Sequence, residues 1–163
     1  MFAVWLIPVL EDEQYLGEIA RKLSKLYDAP KFQPHITIYG LIDAKFEIVK
    51  NAVIKSVADV KPFTVKTTGL SYSDDIWKSV FVNIESNKNL NLIHERLSDN
   101  LGMYSKYNFI PHLSLIYKKI DESEKKKIID NIRLKKELGI DKISILKFSK
   151  DISKWKIIEV LKL

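Results

Sequence analysis

Apolar residues recur along this chain with two periods, and the switches between them mark off strands and helices. Residues 2–7, FAVWLI, form an unbroken apolar run stopped by Pro8, the pattern of a buried strand. From about residue 11 to 27, Leu16, Ile19, Ala20, Leu23 and Leu26 return at helical spacing, with acids in the first turn and bases near the end. The segment PHITIYG, residues 34–40, predicts a second strand, and Phe46, Val49, Val53, Ile54 and Val57 line one side of a helix over about 44–59. Segments 62–71 and 77–85, rich in Thr, Val, Phe and Tyr, flank a Ser73-Asp74-Asp75 turn and predict an antiparallel hairpin. Asn87 is placed to cap a third helix that runs to about Leu101 and ends at Gly102. A strand over about 109–117, an acidic helix start at Asp121-Glu122-Ser123-Glu124, and closing strands over about 140–148 and 155–161 complete the pattern.

Two of the strands repeat each other. PHITIYG at 34–40 and PHLSLIY at 111–117 share Pro-His-aliphatic-Thr/Ser-aliphatic, in a chain with only three histidines. Each copy precedes a helix, which predicts an old duplication: residues 1–163 as one domain of two pseudo-symmetric α+β lobes meeting at a cleft. Alternation along a strand puts His35 and Thr37 on one face and Ile36 and Ile38 on the other; His112 and Ser114 likewise oppose Leu113 and Leu115.

Two imidazoles and two hydroxyls suit in-line displacement at phosphorus. One ring takes a proton from the attacking water, the other gives one to the departing oxygen, and Thr37 and Ser114 donate to the non-bridging oxygens. The motifs are equivalent by symmetry, so the sequence assigns neither ring to one role. A zinc site competes, but no third His, Cys or carboxylate stands at ligand spacing. A pair of structural core histidines is the bland alternative. Ser114 lacks the Gly-x-Ser-x-Gly turn of a serine hydrolase.

Composition narrows the picture a little. With no cysteine, disulfide scaffolds, thiol nucleophiles and Cys-based metal sites are excluded. The 27 Lys and Arg against 21 Asp and Glu give a net charge of +6, a mild lean towards anionic ligands. The apolar start lacks a basic leading region and meets Pro8 and acids at once, and no stretch approaches the length of a membrane span. A cytoplasmic monomer without a membrane role is expected.

The two His-x-Thr/Ser-x motifs, His35-Ile36-Thr37-Ile38 and His112-Leu113-Ser114-Leu115, resemble those of the two-histidine phosphoesterase superfamily. VWLIP, PKFQPHITI, PHLSLIY and DESEKKK are similar to segments of its plant and yeast cyclic nucleotide phosphodiesterases. The resemblance implies an α+β fold of two antiparallel sheets flanking a cleft, with helices outside. It also implies cofactor-free, metal-independent hydrolysis of a small cyclic-phosphate nucleotide, with His35 and His112 as the acid–base pair and Thr37 and Ser114 on the phosphate. The implied substrates are nucleoside 2′,3′-cyclic phosphates, opened to 2′-phosphates, and ADP-ribose 1″,2″-cyclic phosphate, a by-product of tRNA splicing. Other branches process RNA 3′ ends or act as RNA ligase-like enzymes, and a non-catalytic nucleotide- or RNA-binding module is the third reading.

Further candidates are softer. Tyr117 matches a phosphate-lining tyrosine of the plant enzyme, yet strict alternation turns it away from His112 unless the strand ends or bulges near Ile116. Tyr39 shares His35's face by parity and is a candidate cleft residue. Trp77, expected to open a strand, is a candidate platform for a base. Trp5 and Trp155 are expected in the core or between lobes, His94 on the surface, and Lys31, Lys78, Lys106 and Lys118 within reach of phosphate.

Overall fold

The computed structural model describes all 163 residues. In chain order the elements are β1 (Phe2–Pro8), α1 (Leu10–Leu26), β2 (Ile36–Ile42), α2 (Phe46–Val57), β3 (Phe63–Tyr72), β4 (Val80–Ile84) and α3 (Lys88–Leu101). They continue as β5 (His112–Ile116), α4 (Glu122–Asn131), β6 (Glu137–Lys147) and β7 (Lys156–Lys162). The α+β class is as expected, and every strand pairing is antiparallel. No helix is long and apolar enough to cross a membrane.

The two expected sheets prove to be joined in one open path, β2-β1-β6-β3-β4-β5, with β7 added alongside β6. The join is β3. Its first residues, Phe63 to Lys66, pair with β6; from Thr67 onward it pairs with β4. The register shifts between Thr67 and Gly69, and Gly69 takes a φ of +130°, a conformation that only glycine adopts without strain. The motif strands β2 and β5 stand at opposite ends of this path, yet they come into contact with each other, which sets both motifs around one hollow.

Parity in β1 divides the burial. Val4 and Leu6 enter the main core, which holds Leu16, Leu23, Val49, Val53, Leu90, Ile93 and Leu97 from the helices. Ala3, Trp5 and Ile7 face the other way, grouped with Leu146, Phe148 and Trp155. Helices therefore cover one face, while the opposite face presents aromatic rings to a hollow. Asn87 caps α3 as its position predicts, its Oδ1 accepting from Leu90 N at 2.9 Å. One expectation fails: Trp77 does not open β4 but lies in a single 3-10 turn, Ile76–Lys78, because the Asp75 carboxylate accepts from the Trp77 amide at 2.9 Å.

Candidate active site

Both motif strands carry a bulge at the same place. In β2, Trp5 pairs with Thr37 and Val4 with Tyr39, leaving Ile38 as the extra residue. In β5, Phe81 pairs with Ser114 and Val80 with Ile116, leaving Leu115 extra. Each extra residue is the third after its histidine. A single inserted residue reverses the side-chain alternation beyond it. Tyr39, opposite core residue Val4, is consequently 1% exposed and donates its hydroxyl to Ser105 O at 2.8 Å. Its expected place on the cleft face is corrected: it packs behind the strand. The same reversal carries Tyr117, just past the end of β5, onto the face of His112 and into the cleft.

His35 and His112 line one cavity of about 350 Å³ with Thr37, Gly40, Tyr107, Tyr117 and a group of aromatic residues. Their settings are mirror copies. His35 Nδ1 lies 2.6 Å from the carbonyl of Gln33, and His112 Nδ1 lies 2.7 Å from the carbonyl of Ile110. A carbonyl only accepts, so each Nδ1 carries a proton and each neutral ring presents Nε2 as an acceptor. The intervening Pro34 and Pro111 account for the fit. Proline holds its own φ and keeps the residue before it extended, which turns that residue's carbonyl back onto the following imidazole.

The rings differ in depth. His35 is 4% exposed, stacked on Trp5 with centroids 3.5 Å apart, and its Nε2 lies 3.4 Å from the Tyr117 hydroxyl. Burial drives its pKa down to about 3, against the opposing pull of the Gln33 carbonyl, and nearby His112 lowers it further. His112 sits half-buried at the mouth against the edge of Phe81. Burial lowers its pKa as well and Lys78 adds to the effect, while Ile110's carbonyl and the Asp75 carboxylate oppose it. The shift at His112 is the smaller, so a proton entering the empty pair goes first to the outer ring. An anion between the rings favours the charged form of both.

The hydroxyls also differ. Thr37 lines the cavity, whereas Ser114 is 5% exposed and donates to the Trp77 carbonyl at 2.8 Å. Ser114 therefore pins the 3-10 turn that brings Trp77, Lys78 and Asp75 to the cavity wall. Trp77 lies nearly parallel to Trp155, centroids 6.1 Å apart, and Phe148 completes that wall. Trp5 and Trp155, expected in the core or between lobes, both line the cavity, as does Tyr107 from the loop before β5. Along β1 Trp5 alternates with the core residues Val4 and Leu6, a signal that sets it on the opposite face; nothing in the sequence around Tyr107 or Phe148 marks them.

Of the four lysines expected near phosphate only Lys78 lines the cavity; Lys118 donates to the Asp28 carbonyl instead. His94 is not a free surface group. Its Nδ1 lies 3.0 Å from the carbonyl of Ile38, the bulged residue, and its ring sits between Tyr39 and Phe109. No group of three or more His, Cys, Asp or Glu side chains converges to hold a metal ion.

Residues 8–151 match the family profile of the 2′-5′ RNA ligase superfamily. The chain belongs to that superfamily. Its members include two-histidine phosphoesterases, which accords with the paired motifs. An Arabidopsis thaliana cyclic phosphodiesterase is 22% identical over 126 residues, covering 77% of this chain and 70% of that protein. Among solved structures, TT0787 of Thermus thermophilus superposes with a TM-score of 0.66 at 16% identity, covering 99% of this chain and 97% of its own. Escherichia coli LigT complexed with 3′-AMP gives a TM-score of 0.63 at 10% identity, with 99% and 96% covered. At such identities the structural matches establish a shared fold.

Proposed function

We propose that this chain hydrolyses a small cyclic phosphate, a nucleoside 2′,3′-cyclic phosphate or ADP-ribose 1″,2″-cyclic phosphate, to a phosphomonoester by two-histidine acid–base catalysis. The observation that carries the reading is the matched pair of imidazoles lining one cavity, each with Nδ1 fixed on a backbone carbonyl so that Nε2 is the acceptor. Water attacks phosphorus as one Nε2 takes its proton; the bond from phosphorus to one ring oxygen breaks, and the other ring, protonated, delivers its proton to that oxygen. Thr37 lines the cavity where its hydroxyl can donate to a non-bridging oxygen, and Tyr117 and Ser114 join it if they release His35 Nε2 and the Trp77 carbonyl. The resulting scheme uses no metal.

Substrate size follows from the walls. A cavity of about 350 Å³ lined by Trp77, Trp155 and Phe148 suits one nucleoside, its base against the indoles. The similarity to a cyclic phosphodiesterase and the shared fold with LigT, crystallised with 3′-AMP, support a nucleotide ligand. RNA-end processing is less favoured, because Lys78 is the only basic side chain among the lining residues apart from the two histidines.

Phosphorus NMR of the purified protein with each 2′,3′-cyclic mononucleotide, ADP-ribose 1″,2″-cyclic phosphate and a cyclic-phosphate-ended oligonucleotide tests this. The expected result is conversion of a small substrate, unaffected by EDTA, with His35→Ala and His112→Ala each lowering kcat by about 10²–10⁴-fold. Full turnover by either variant would refute the mechanism.

A further inference from the structure

We propose that Tyr107 is a phosphate-binding residue of this cleft, its phenol donating a hydrogen bond to a non-bridging oxygen of the bound phosphoryl group. The proposal rests on the phosphodiesterase reading and adds a donor from outside both repeated motifs.

The duplicated bulges create two equivalent positions that the chain fills differently. Gly40 stands five residues after His35, and Tyr117 stands five residues after His112. Because both strands bulge at the third position, both fifth positions face the cavity. In the second copy that position delivers a phenol to within 3.4 Å of His35 Nε2. In the first copy it has no side chain. The Tyr107 ring fills the space, so close that a Cβ on Gly40 would meet its Cε2 at 3.0 Å and its Cδ2 at 3.3 Å. Gly40 thus leaves room for a tyrosine supplied by another segment.

That segment is fastened to the end of β2. Ser105 Oγ donates to the Gly40 carbonyl at 2.7 Å, Tyr39 donates to the Ser105 carbonyl at 2.8 Å, and the Asp43 amide donates to the Tyr104 carbonyl at 3.3 Å. The Tyr39 ring also packs against Tyr107, with centroids 5.8 Å apart. The phenol itself is idle. It makes no hydrogen bond within the protein, and burial of the side chain pushes its pKa up to about 12. A donor whose ring is held by packed neighbours needs little reorganisation when charge arrives. Tyr107 and Tyr117 line the same cavity as the two histidines.

The test is Tyr107→Phe, which keeps the ring over Gly40 and removes only the hydroxyl. Two measurements are made: kcat and KM for uridine 2′,3′-cyclic phosphate, and binding of inorganic phosphate followed by tryptophan fluorescence. The expected result is a loss of about 10–100-fold in kcat/KM and roughly tenfold weaker phosphate binding, with the melting temperature little changed. Gly40→Ala, which crowds the ring, should reduce kcat/KM in the wild type and far less in the Tyr107→Phe background. Unchanged kcat/KM and phosphate affinity in Tyr107→Phe, or an equal effect of Gly40→Ala in both backgrounds, would overturn the proposal. If the wild type binds phosphate through Tyr107 but opens no cyclic phosphate, the hydrolase reading fails and the binding role stands. If turnover is robust and indifferent to Tyr107, the reverse holds, and a wild type that neither binds phosphate nor turns over refutes both.

Discussion

Among single residues, the site depends on how deep each imidazole lies. Stacked on Trp5 and almost fully covered, His35 stays neutral in the folded protein down to about pH 3, while the unfolded chain takes up that proton near the ordinary histidine value. Unfolding therefore binds a proton across that window, and the stability is complete above about pH 6.5 and is lost as the pH falls. The slope for one such group is about 1.4 kcal/mol per pH unit, and the smaller downward shift of His112 acts in the same direction. Denaturant titrations between about pH 5 and 6.5, above the range where carboxylates protonate, should show this slope in the wild type and a markedly flatter one in His35→Gln. Equal slopes would mean that His35 takes its proton in the folded state. The identity of this pair was legible from the sequence because Pro-His-aliphatic-Thr/Ser occurs twice. Its asymmetry was not, since burial depth depends on Trp5, a residue far from both motifs.

Among the elements, the strands and helices followed from periodicity with end errors of a few residues, but the faces of the motif strands did not. A bulge adds one residue without disturbing the apolar pattern: Ile38 and Leu115 look like ordinary core positions, and the residues just beyond them change sides, until in β2 a second register shift returns Ile42 to the core. That single cause explains two opposite outcomes, Tyr39 leaving the cleft and Tyr117 entering it. In β2 the bulge has a dedicated partner, because the carbonyl of Ile38 meets His94 Nδ1 from α3. His94→Leu should leave that carbonyl without its donor, lowering stability by about 1–3 kcal/mol and lowering kcat as His35 and Thr37 lose their register. His94→Asn, which can restore an N–H donor, should recover part of both. Denaturant midpoints and turnover measured on the two variants check this. A stability loss with turnover unchanged in His94→Leu would limit the contact to packing.

Across the whole molecule, the net charge of +6 suggests a nucleic-acid surface, whereas the distribution of that charge suggests a small ligand. Several lysines are already paired across the fold: Lys50 with Glu159, Lys125 with Asp74, Lys135 with Glu11 and Asp12. Only Lys78 reaches the cavity, beside Asp75. This was not legible in the sequence, because which lysines meet an acid depends on contacts between distant segments. Binding of single-stranded RNA to a protein falls with salt by a log–log slope of about −0.7 for each phosphate neutralised. A cyclic-phosphate-ended oligonucleotide should therefore bind with a slope of about −1 or shallower, and kcat/KM should be no higher for it than for the matching mononucleotide. Fluorescence anisotropy across a salt series, with turnover of both substrates, measures the two quantities. A slope of about −3 or steeper, joined to a preference for the oligonucleotide, would mean that lysines outside the cleft form a phosphate track and that the polymer, not the mononucleotide, is the substrate this surface serves.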